Sequence, residues 1–260
     1  MISLRYLLLT MLLLPAKILL AQDEVVKAWG GGADVKDLSF GFTFQYVSAD
    51  FKIEKKADWR DAYIDPQTHT KITDTLSSIG SKSSPGFGIG FITRYRLTDH
   101  LEARLTPMLV FADRLLEYTY ATPQQQPSSS SSKAGAENII GKQVQTTMVE
   151  FPLSLKLKSD RLGNFRGYLL GGVKYSKLIA SKKNNDANAD PIDKLVKNVN
   201  GFASYEAGIG CDIYFEYFKL SPEIKISNSF GNVLVPENHP FSRPIDKLFL
   251  HTLMVSLYFE

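Results

Sequence analysis

Apolar and polar residues alternate with a period of two along most of this chain, and the clearest example is residues 202–227. Ala203, Tyr205, Ala207, Ile209, Cys211, Ile213 and Phe215 share one face there, against Ser204, Glu206, Gly208, Gly210 and Asp212 on the other. After a turn at residues 216–217, Phe218, Leu220, Pro222, Ile224 and Ile226 oppose Lys219, Ser221, Glu223, Lys225 and Ser227. Strand side chains point alternately to two faces, so this is a hairpin with one apolar face and one carrying ionisable groups.

The same pattern predicts six further strands. The first, residues 39–47, sets Phe40, Phe42, Phe44 and Tyr46 in one row; Phe51 and Ile53 then continue on odd numbers, which predicts a bulge near residues 48–50, followed by a long polar loop to Ser84. The second, residues 86–97, alternates Phe87, Ile89, Phe91, Tyr95 and Leu97 with Gly86, Gly88, Gly90, Arg94 and Arg96. The third runs from Leu101 to Phe111, with an irregularity expected where Pro107 removes a ladder donor. Residues 121–143, containing PQQQPSSSSS, are too poor in apolar content to pack and read as a solvated loop. Strands at residues 149–158 and 165–179 follow, then a polar loop to Asn198, the hairpin, a Pro-bearing loop at residues 228–246 and a last strand, residues 249–259. Connections are long after the first, third, fifth and seventh strands and short after the others. The expected fold is therefore all-β, an eight-stranded antiparallel up-and-down transmembrane β-barrel of the outer-membrane type occupying residues 39–260, with termini in the periplasm, long loops outside and lipid around the apolar rows. A soluble barrel would hide those rows inside.

Residues 1–21 read as a secretory signal peptide, with Arg5 before an apolar stretch and a cleavage site after Ala21, and residues 22–38 as a periplasmic lead-in. A net charge of +3 with 22% charged residues, and no concentrated basic face, argues against a nucleic-acid partner. The lone cysteine, Cys211, excludes an internal disulfide framework and a multi-cysteine metal site.

The inward rows bring together Arg94, Arg96, Glu102, Arg104, Glu150, Lys156, Lys158, Lys174, Glu206, Asp212, Glu223 and Lys225. Eight strands leave a lumen that side chains just fill, so these groups form either a structural ion-pair network or a narrow ion or proton path. A double reversal such as Glu206→Lys with Lys174→Glu would test such pairing, although the sequence does not show which partners meet. Catalytic, cofactor and metal sites are not expected: His239 and Ser242 lie together in the HPFS run, but with no orienting acid or nucleophile elbow. The glycines at 86, 88 and 90 alternate along a strand rather than opening a helix and make room for large lumen residues. Tyr46, Tyr118, Tyr120, Tyr175, Tyr214 and Tyr217 fall near strand ends, where interface girdles belong.

VEFPLSLKLKSDRLGNFRGYLLGGVKYSKLIASKK at residues 149–183 and YEAGIGCDIYFEYFKLSPEIKIS at 205–227 resemble the PorT family of outer-membrane barrels, components of the type IX secretion system. The likeness extends to GFGIGFITRYRLTDHLEARLTPML at 86–109 and the closing LYFE, but not to the Gln/Pro/Ser tract at 124–132. The resemblance implies a barrel needed to export cargo bearing a carboxy-terminal secretion signal, with partners in a secretion translocon. A filled lumen cannot pass a folded protein, which makes an accessory or assembly role the better expectation. A closing amphipathic strand ending at Phe259 suits recognition by the barrel-assembly machinery. The alternative is a structural or adhesive barrel, or a narrow small-solute porin, without a part in secretion.

Overall fold

The computed structural model describes residues 36–124, 137–181, 190, 192 and 194–260. The signal peptide, nearly all of the lead-in, the Gln/Pro/Ser tract and most of the loop before Asn198 lie outside the described residues. The strand segments are β1 (Leu38–Lys55), β2 (Leu76–Lys82), β3 (Ser84–Arg96), β4 (Leu101–Leu105), β5 (Met108–Gln124), β6 (Glu137–Lys158), β7 (Phe165–Ser181), β8 (Gly201–Tyr214), β9 (Lys219–Ser229) and β10 (Ile245–Phe259). All neighbours pair antiparallel, and β1 closes on both β10 and β3. Since β2 continues into β3 and β4 into β5, the ten segments form the expected ring of eight.

The break between β4 and β5 falls at Thr106 and Pro107. Register is the same on both sides of it: Thr93 faces Leu105 and Gly90 faces Met108. Proline has no N–H to donate, and the gap in the ladder follows from that alone. Pro107 still accepts through its carbonyl from the Phe91 N–H at 3.0 Å.

Short turns and both ends of the ring's chain share one end of the barrel: Leu38 faces Tyr95, and Phe259 faces Leu220. The other end holds the long loops. At the turn end, Phe40, Phe42, Phe44, Phe91, Leu155, Leu169 and Ile209 are exposed, whereas Arg94, Arg104, Lys156, Asp212 and Glu223 on the same or other strands of the ring are buried. Lipid accounts for the first set and a polar lumen for the second.

Towards the loop end the two faces exchange character. In β1 the outward row ends at Tyr46, and Val47, Ala49 and Phe51 turn inward while Lys52 and Glu54 face out. The β1–β10 register is unbroken from Phe42 opposite Phe259 to Glu54 opposite Lys247, so there is no bulge at residues 48–50. What changes is the surroundings. Lower down the wall separates lipid from a polar lumen; higher up it separates water from an apolar core, as in a soluble barrel. That core joins Val47, Phe51, Leu76, Ile79, Leu116, Tyr118, Ile140, Leu248 and Leu250 to Val196, Val233, Leu234 and Phe241 from the loops. Strands also run further than the pattern predicted, since β2 and the start of β6 lie in stretches read as loops. The 22 residues of β6 reach about twice the ~25 Å height of a lipid-facing band.

Candidate functional site

Among the described residues the lumen is where ionisable side chains concentrate, and alternation places them there: every second residue of a lipid-facing strand points inward. At the turn end, Arg94 from β3 reaches Glu102 from β4 at 2.7 Å and Glu260 at 3.0 Å, and Lys219 reaches Glu260 at 2.9 Å. Ser39 bridges the same group, accepting from Arg94 Nε and donating to Glu260. Lys158 also bonds Glu102.

One level higher, Lys156 holds both oxygens of Asp212, at 2.7 and 2.9 Å, and the Ser221 hydroxyl donates to the same carboxylate. Arg104 bonds Glu223 across the bore, and Tyr168 donates to Glu223 at 2.9 Å. Lys225 lies 3.4 Å from Glu223 and 3.9 Å from Glu206, and donates to the Tyr258 hydroxyl at 3.0 Å. The aromatic walls take part too: Arg104 sits 4.3 Å from the Tyr258 ring centre and Lys156 3.8 Å from that of Tyr168. Above this, Lys174 pairs with Glu150 at 3.0 Å, with Ser176 donating to the same carboxylate.

Room for these side chains comes from glycines. Gly210 faces Tyr168 and Gly208 faces Lys225 across adjacent strands. A Cβ at Gly210 would lie 2.5 Å from the Tyr168 ring, and one at Gly208 2.7 Å from the Lys225 side chain. Gly90 serves another purpose: a Cβ there would come within 2.6 Å of Met108, so it lets β3 and β5 approach closely.

Of the residues expected in the lumen, Arg94, Glu102, Arg104, Glu150, Lys156, Lys158, Lys174, Glu206, Asp212, Glu223 and Lys225 are buried. Arg96 stands apart at the rim, half-buried and bonded to exposed Asp99 in the turn, because its inward row has already left the barrel. Lys174 and Glu206 are not the bonded pair; their partners are Glu150 and Lys225. Lys219, Glu260, Tyr168 and Tyr258 belong to the network although only their place on inward rows signalled it. Tyr118, Tyr120 and Tyr214 are buried rather than girdle residues, and Tyr118 donates to the Phe241 carbonyl at 2.6 Å, tying β5 to the last loop. Tyr46, Tyr175 and Tyr217 are exposed.

His239 and Ser242 are both buried in the last loop. Ser242 Oγ accepts from the Glu237 N–H at 3.1 Å and His239 Nδ1 from the Phe241 N–H at 3.3 Å, so both shape the turn that drives Phe241 into the core; an acid does lie beside the histidine, contrary to the sequence reading, since the Glu237 carboxylate is 3.5 Å from His239 Nε2. Among the described residues no cluster of three His, Cys, Asp or Glu side chains could hold a metal ion.

Charged below and apolar above, the described inward side chains are buried from the ion pairs up to the loops. Comparison with solved structures finds outer-membrane barrels. OprG from Pseudomonas aeruginosa is 12% identical, over 89% of this chain and 95% of that one, with a TM-score of 0.46. Neisserial surface protein A is 10% identical, over 86% and 98%, with a TM-score of 0.39. Ail of Yersinia pestis is 10% identical, over 86% and 99%, with a TM-score of 0.33. No curated protein matches the chain. A family model, the outer membrane protein beta-barrel domain, matches residues 24–235. That match takes in every strand but β10, the one that closes the ring, and this chain belongs to the outer membrane protein beta-barrel domain family.

Proposed function

We propose that this barrel serves protein export across the outer membrane as an accessory or assembly factor of the type IX secretion system, for cargo with a carboxy-terminal secretion signal. The observation that carries the accessory role is the sealed bore: a floor of ion pairs from Arg94 to Lys174 under an apolar plug centred on Phe241. Such a bore conducts no chain, so action falls to the outer wall and the loops. The link to secretion rests on the PorT-like segments at residues 86–109, 149–183 and 205–227. In this reading the turn end and both termini lie in the periplasm and the loop end faces outward. Insertion depends on the barrel-assembly machinery, and the wall docks a larger translocon.

The secreted and surface proteome of the source bacterium without this gene, compared with the complemented strain, tests it. Periplasmic accumulation of cargo carrying the carboxy-terminal signal is the expected result. Normal surface delivery would leave the second reading, an adhesive or structural barrel, which the reach of β6 favours, since among the described residues it pairs with β5 out to Glu137 but with β7 only from Thr146.

A further inference from the structure

The ring is not laddered all the way up between β1 and β2. Pairing of β1 with β3 ends at Ala49 opposite Ser84. Above that, β1 pairs only with β10 and β2 only with β5. Side chains hold the two edges together instead. At the foot of this stretch, where Ser48 still faces Pro85 in the ladder, the Ser48 and Ser83 hydroxyls meet at 2.5 Å; above it Ser81 Oγ accepts from the Phe51 N–H at 2.9 Å while donating to the Leu115 carbonyl at 3.0 Å.

We propose that this seam accepts an extended strand of a partner protein, apolar at alternate positions and acidic between them. Two main-chain edges facing each other are a template for a third strand, which would exchange the serine contacts for ladders on both sides. Alternation then sends every second side chain of the guest inward beside Phe51 and Ile79, both part of the apolar core. The others point outward to water, among exposed Lys52, Lys56 and Lys82. Of the carboxylates on these edges, Glu54 is paired with Lys247 at 3.2 Å and Asp50 is half-buried, which leaves a cationic rim for an acidic guest. The position is accessible: Ser77, Ser78, Gly80 and Lys82 of β2 are exposed, and a Cβ on Gly80 would meet nothing within 4 Å. This inference rests on the ladder geometry and not on the secretion reading, and either can fail alone.

The test uses the full chain folded in detergent, with Cys211→Ala removing its single cysteine and Ser48→Cys with Ser83→Cys clamping the foot of the seam. The probe is a fluorescent acetyl-Val-Glu-Val-Glu-Val-Glu-Val-amide followed by anisotropy, with retained folding checked by heat-modifiable gel mobility. The expected result is saturable binding to the reduced protein, weakened at least about tenfold on oxidation, restored by reductant and absent for the same peptide N-methylated on alternate residues. Lys52→Glu with Lys82→Glu should shift preference to a Val-Lys peptide. Lack of saturation up to about 1 mM, or equal affinity for reduced and oxidised protein, overturns the proposal.

Discussion

At the residue scale, the lumen charges matter as pairs. Lys174 and Glu150 are both buried and 3.0 Å apart, and stripping a buried charge of its partner costs about 3–5 kcal/mol. Lys174→Glu and Glu150→Lys should each lower the urea midpoint of the folded barrel, while the double reversal recovers most of the loss; a double-mutant cycle measures the coupling. Glu206→Lys with Lys174→Glu should recover little, since those two are not bonded partners. Outside the membrane, Asp74 at the start of β2 accepts from Thr122, Lys71 and the Thr75 N–H, and these bonds hold its carboxyl well below the ordinary range. A depressed native pKa contributes stability that is full above the unfolded value and is lost progressively as pH falls from there through the native one. Amide exchange at Ala121, whose N–H donates to the Thr75 carbonyl, should therefore stay protected near pH ~4 in the wild type and rise in Asp74→Asn at neutral pH.

At the scale of elements, large and small residues are matched across neighbouring strands. Gly210 faces Tyr168, and a methyl there would sit 2.5 Å from its ring and 2.7 Å from the Pro222 carbonyl. Gly210→Ala should cost about 1–3 kcal/mol, the range for overpacking. Gly171 is the control: a Cβ there meets nothing within 4 Å, and Gly171→Ala should stay within about 0.5 kcal/mol. Equal effects of the two in urea titrations would mean that lumen packing does not set the strand-to-strand fit. The strands themselves were legible from alternation, down to the break at Pro107. Their upper reaches were not. In residues 47–53 the apolar row moves to odd numbers, and from one strand alone a bulge and a change of surroundings leave the same trace. The unbroken ladder with β10 decides between them.

For the whole molecule, the consequence is closure. Purified protein in planar bilayers should pass no steady current. Phe241→Ala should leave it silent, because the ion-paired floor remains beneath the plug, yet cost about 3–5 kcal/mol as its buried ring is lost. Open-channel conductance in the wild type would contradict the sealed bore and, with it, the accessory role.

Taken by itself, the amino-acid sequence determined the class of fold, the number of strands and the alternation of long and short connections. It also determined which residues of the lower wall face the lumen. These follow from local geometry, since a period of two and the turns between strands are properties of neighbouring residues. Only the tertiary structure decided who pairs with whom, as with Lys174 and Glu150, Arg104 and Glu223, and the Arg94 and Lys219 contacts to Glu260. It alone revealed the upper apolar storey that buries Tyr118 and Tyr120, and the unladdered seam above Ala49. Partners in the bore lie far apart along the chain, Arg104 and Glu223 by 119 residues. Their meeting depends on strand register and barrel closure, which no single strand encodes.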